Sequence, residues 1–158
     1  MTEVETDYIF RAMHLDRENS DAGGSDGINA LGYSVEEFTH ENMLQILEES
    51  EGYSNPKQTN DPNWTLYADD TLIFAQNDSI ILVADADSFN LSDNNYQQGR
   101  ALYVETVPWE LMEEVIVPEE YGETAEELLS EHAQQNRFSI TKAEDTVKYL
   151  EDNYTEPT

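Results

Sequence analysis

Asp69, Asp70, Asp85 and Asp87 are the residues whose spacing in this chain comes closest to chemistry. Asn77-Asp78 reads as a two-residue turn between two apolar runs, residues 71–76 and 79–84. A turn of that length fixes the pairing, so Asp70 is expected to face Asp85 across the ladder. Like charges placed directly opposite each other repel unless a cation or a proton comes between them. Oxygen ligands of this kind suit Mg, Ca, Na or K, and the expectation is a metal site at Asp69, Asp70, Asp85 and Asp87. The plainer alternative is that the carboxylates splay into solvent. The same register puts Leu72, Phe74, Ile81 and Val83 on one face and Ile73, Ala75, Ile80 and Leu82 on the other. With both faces apolar, the hairpin must be covered on both sides by its own helices or by a neighbouring subunit. Leu72, Phe74, Ile81 and Val83 are therefore the expected interface.

Tyr67-Ala68-Asp69-Asp70, followed by Thr71-Leu72-Ile73-Phe74-Ala75, resembles the catalytic hairpin of reverse transcriptases. That resemblance implies paired aspartates holding two metals. Two-metal phosphoryl transfer also needs a separate carboxylate-bearing strand and a basic channel for the template. With 7 Lys and Arg against 35 Asp and Glu, the chain supplies no such channel, and an Asp-Asp turn is the reading kept. The loop from Asp16 to Gly27 lacks the sixth-position glycine of an EF-hand, and Asp93-Asn94-Asn95 lacks that glycine and the closing glutamate. His14, His40 and His132 have no metal spacing and read as surface or cap-side residues. With no cysteine, thiolate chemistry, disulfides and Cys-based zinc sites are excluded. No catalytic residue is expected. No organic cofactor is expected either, and a weakly bound cation is what these carboxylates offer.

The dominant feature is charge, a formal net of -28 over 158 residues. Such self-repulsion destabilises a compact state unless salt, bound cations or a basic partner offsets it. At about 1 M salt the Debye length shrinks to about 3 Å, and surface carboxylates hydrate the protein without repelling one another. In dilute salt the same charge attracts basic clefts. Duplex DNA carries one charge per about 1.7 Å, so 28 charges correspond to about 48 Å of duplex. By blocks of fifty the acids number 12, 8 and 12, with 3 in the last eight residues, the even spread expected of a solvation device. The densest cluster, Glu119, Glu120, Glu123, Glu126, Glu127 and Glu131, is the expected DNA-mimic row on the alternative reading. In composition alone the chain resembles proteins of salt-loving archaea and their viruses, with only 3 Lys and 4 Arg. That resemblance implies a non-catalytic, salt-adapted assembly part, a shell or head-tail-joint component of a haloarchaeal virus particle. The alternative is a DNA mimic that inhibits a restriction enzyme, nuclease or other DNA-binding protein. Expected partners are protein subunits in a homo- or hetero-oligomer, or a basic DNA-binding protein on the alternative, with direct binding to nucleic acid or an anionic membrane disfavoured by repulsion.

The elements that would position these residues form an α+β domain over 1–158, a small antiparallel sheet flanked by helices. Strands are expected near 65–67, 71–76, 79–84 and 101–107. Helices are expected near 35–51, 109–115, 125–135 and 142–152. Three begin at capping boxes, Ser34 to Glu37, Thr124 to Glu127 and Thr141 to Glu144, and Gly52 is the stop for the first. Polar loops are expected over 17–29, 52–63 and 85–99, with a short C-terminal tail. The last two helices have the order of a helix-turn-helix, but Glu144, Asp145, Glu151 and Asp152 beside Lys142 and Lys148 would repel a phosphate backbone. No apolar run approaches a membrane span and the acidic start Met1-Thr2-Glu3 is unlike a signal peptide, so the expected setting is a virion or the cytoplasm of a high-salt organism.

Overall fold

The structure, a computed structural model, describes residues 7–13, 40–49, 51–54, 64–74, 79–86, 96–98, 101–103 and 106–154. The described strands are β1 (Tyr8–Met13), β2 (Gly52–Ser54), β3 (Trp64–Thr65), β4 (Ile80–Asp85), β5 (Tyr96–Gln98), β6 (Ala101–Tyr103), β7 (Thr106–Pro108), β8 (Met112–Pro118) and β9 (Ser139–Ala143). The described helices are α1 (His40–Glu49), α2 (Ala68–Phe74), α3 (Gly122–Asn136) and α4 (Thr146–Tyr154), with 3-10 turns at Trp109–Leu111 and Glu119–Tyr121. The protein is α+β in class. A seven-stranded sheet runs in the order β5-β6-β3-β1-β4-β8-β9, and β2 pairs separately with β7. Every pairing is antiparallel except β8 with β9, which are parallel and joined through α3.

β4 lies inside the sheet, between β1 and β8, because Ile80-Ile81-Leu82-Val83-Ala84 is a run of β-formers without a polar face. Its side chains divide by parity. Ile80, Leu82 and Ala84 join Ile9, Val115 and Val117 in one core with Leu44 and Leu47 of α1 and Ala125 and Leu129 of α3. Ile81 and Val83 join Phe10, Ala12 and Ile116 in a second core with Ala68 of α2 and Leu150 of α4. The sheet is thus the middle of three layers, and each fully buried Ile, Leu or Val contributes about 1.5–3 kcal/mol relative to exposure.

Four sequence expectations need correcting. The strand expected over 71–76 is the helix α2, so no hairpin turns at Asn77-Asp78. Both edges of β4 are already taken, by β1 and β8, and a short apolar run beside a filled sheet is as consistent with a buried helix. Asp69 lies in the first turn of α2, where the helix dipole favours negative charge. Thr71, fully buried, bonds the Thr65 hydroxyl at 2.6 Å. The helix expected near 109–115 is one 3-10 turn followed by β8, because Val115-Ile116-Val117 is a β-branched run lying between two strands. The strand expected over 101–107 is split between β6 and β7, which belong to different sheets. Finally, Thr141 does not cap a helix. It lies in β9, and α4 starts later, where the Asp145 carboxylate accepts from the Lys148 amide at 3.0 Å.

Other expectations fit more closely. The helix near 125–135 is α3, which starts at Gly122, so Thr124 lies inside the first turn and does not cap it. α1 ends before Gly52 as expected, while Ser34 to Glu37 lies outside the described residues. Gly52 has φ 124°, and a Cβ there would stand 2.3 Å from the Val107 carbonyl oxygen across the β2–β7 pair. Of the expected loops, 17–29 lies outside the described residues, 52–63 contains β2 and 85–99 contains β5.

Candidate functional site

The expected metal site loses the pairing that defined it. Asp85 ends β4 and pairs with Tyr8 of β1, whereas Asp70 lies in α2. Asp69 is exposed on the same helix, and Asp87 lies outside the described residues. Among the described residues no group of three or more His, Asp or Glu side chains converges as a metal site would require.

The expected interface is likewise an interior. Ile81 and Val83 are fully buried, and Leu72 packs half-buried against the same cluster under α2 and α4. The Phe74 side chain lies outside what is described. An apolar β4 does need covering on both faces, as its sequence demands, and the chain's own helices cover it.

Of the expected acidic row, four residues share one face of α3. Glu119, Glu120, Glu123, Glu126, Glu127 and Glu131 are all exposed, the first two on the 3-10 turn that leads into α3. At about 100° per residue the four on α3 fall within about 140° of its circumference, opposite the buried Ala125 and Leu129. One cation interrupts them. Lys142 reaches from β9 with its stem across Gly122, where a Cβ would stand 2.5 Å from the Lys142 Cδ. Its ammonium lies 2.7 Å from Glu126 Oε1, and that hydrogen bond, helped by the charges of Glu126, Glu123 and Glu119, raises the pKa of Lys142.

Sequence reasoning missed one polar cluster, centred on Glu114. This β8 residue is the only buried carboxylate among the described residues, 6 % exposed on the α4 side of the sheet. Three hydroxyls donate to it: Thr141 of β9 and Tyr149 of α4 to Oε2, the latter at 2.7 Å, and Tyr154 of α4 to Oε1. The Tyr154 ring also meets Tyr8 and Phe10 edge-on, both at 5.5 Å between centroids. Burial, then the hydrogen bond to Glu114, pushes both tyrosine pKa values up. A tyrosine that holds its proton this firmly is a hydrogen-bond donor and a poor nucleophile. The arrangement fastens α4 to the sheet. Its sequence signal, the second residue of Glu113-Glu114 before Val115-Ile116-Val117, is legible only once that run is known to be a strand.

Of the two described histidines, one is buried and one is half-buried. His40, at the start of α1 and buried, stacks on Tyr121 at 4.4 Å. Half-buried His132 stacks on Trp109 at 5.5 Å and lies 3.6 Å from Glu48, linking α3 to α1. His14 lies outside the described residues.

No family model matches this chain, and neither a curated protein nor a solved structure is similar to it. No described helix is long and apolar enough to cross a membrane.

Proposed function

We propose that this is a non-catalytic, salt-adapted acidic protein that works through contact with other protein subunits. The observation that carries this reading is where the carboxylates lie. Exposed acids stand on every layer: Asp7 before β1, Glu41 and Glu49 on α1, Asp69 on α2, Glu110 and Glu113 around the start of β8, the Glu face of α3, and Glu144, Glu151 and Asp152 around α4. Dispersal on this scale serves hydration in concentrated salt, where a Debye length of about 3 Å removes the repulsion between neighbours. The setting we attach, a shell or head-tail-joint component of a haloarchaeal virus particle, stands on composition alone. The hairpin that pointed to assembly does not form, and β4 is covered by the chain's own helices, so the subunit contact belongs elsewhere on the surface.

The α3 face favours a second reading, a mimic of DNA. Six carboxylates over about 20 Å of helix come close to the one phosphate per about 3.4 Å of a single DNA strand. Lys142 on Glu126 counts against it, since a phosphate row has no built-in cation. Replacing Glu120, Glu123 and Glu127 by Gln separates the two. Salt adaptation predicts a variant that is more stable in dilute buffer and unchanged in concentrated KCl. Mimicry predicts that the wild type inhibits a basic nuclease at low salt and that the variant loses much of that inhibition. Inhibition by wild type with none by the variant would overturn the first reading.

A further inference from the structure

β9 is the end strand of the seven-stranded sheet among the described residues, paired only with β8, from Ser139 opposite Glu114 to Ala143 opposite Pro118. An end strand offers a row of unpaired backbone N–H and C=O groups that another strand satisfies, and proteins usually guard it with an outward-pointing charge. The one charge on β9 is Lys142, and it is drawn back across Gly122 onto Glu126. Among the described residues, that leaves the edge without a charge pointing outward from it.

Charge singles out the same place. The run from His132 to Ala143 is the longest in the chain without an acid, 12 residues that hold Arg137 and Lys142, two of the 7 cations. Two copies that each carry a net charge of -28 meet at least cost along a strand that has no acid of its own, once salt screens the flanking glutamates of α3. The run also complements itself. If two copies of β9 pair antiparallel about Thr141, Ile140 faces Lys142 of the second copy and Ser139 faces Ala143. Arg137 of each copy then meets the Asp145 end of the other, and no like charges stand opposite each other.

We infer that β9 is the edge along which two copies of this chain join their sheets, antiparallel about a two-fold axis at Thr141. This rests on the proposed function, because it names the subunit contact that reading requires. The resulting pair is isologous, each copy presenting the same edge. The acidic α3 faces lie near the junction, so dilute salt opposes the contact and concentrated salt permits it.

Light scattering of the wild type in dilute buffer and in about 3 M KCl is the first arm of the test. The chain has no cysteine of its own, so Ser139→Cys and Ala143→Cys proteins can be mixed in equal amounts and oxidised in the same KCl. Facing residues of an antiparallel pair lie about 4.5–5.5 Å apart at Cα, within disulfide reach. The expected result is a monomer in dilute buffer, a dimer in KCl, and more cross-linked dimer from the mixture than from either variant alone. A wild type that stays monomeric at every KCl concentration overturns the inference; if its unfolding temperature still climbs with KCl, salt adaptation stands without this edge. A dimer that gives no excess of mixed disulfide also overturns it, and places the contact on another surface.

Discussion

Glu114 shows how a chain so poor in cations buries a carboxylate. A buried charge is ordinarily paired, and losing its partners costs several kcal/mol. Here the partners are three hydroxyls, which need no Lys or Arg and sit where salt screens them little. Hydrogen bonds to a charged group contribute about 1.5–3 kcal/mol each, so Tyr154→Phe, half-buried, should cost about 1–2 kcal/mol, measured by urea unfolding in concentrated KCl. The pH dependence follows from the raised tyrosine pKa values. Both phenols keep their protons more firmly folded than unfolded, where they ionise near pH 10. The stability they contribute is complete below about pH 10 and is lost as pH rises through the folded values. Wild type should therefore lose stability above about pH 10 faster than the double variant Tyr149→Phe/Tyr154→Phe. Equal slopes for the two would show that the tyrosines do not meet Glu114 in solution.

At the scale of elements, what could be read from the chain was whatever depended on local pattern. α3 was legible through the capping-box pattern Thr124 to Glu127, although the helix starts at Gly122 and Thr124 does not cap it, and β4 from its unbroken β-formers. Residues 71–74 were not, because the choice between strand and helix was made by β1 and β8 occupying both edges of β4, from far away in sequence. Thr141 failed for a similar reason, its hydroxyl being taken by a glutamate 27 residues earlier. The acidic row was legible as a surface, since exposure of glutamates on one side of a helix follows from spacing, whereas the four-aspartate site rested on a register that never forms. Two variants check the corrected elements. Ile81→Asp places an unpaired charge in a closed core and should unfold the chain outright by circular dichroism; an interface residue would tolerate the change in the monomer. Asp85→Asn should bring no gain in dilute salt from relieved cross-strand repulsion, because the residue opposite Asp85 is Tyr8 and not Asp70, and unfolding in dilute buffer checks it.

For the whole molecule, the two apolar cores drive folding and the charge opposes it, with the balance set by the solvent. Twenty-eight uncompensated charges on a chain of 158 residues repel one another over a Debye length of about 10 Å at 0.1 M salt, far enough to span neighbouring elements. At about 1 M the range is about 3 Å, shorter than the separation of most surface carboxylates, and the cores prevail. The most direct test is the unfolding temperature of the wild type followed by circular dichroism from dilute buffer to about 3 M KCl. Salt adaptation predicts a marginal or unfolded chain at the dilute end and a transition that climbs steeply into the molar range. A chain that is firmly folded in dilute buffer, with an unfolding temperature that stays flat as KCl rises, would contradict it.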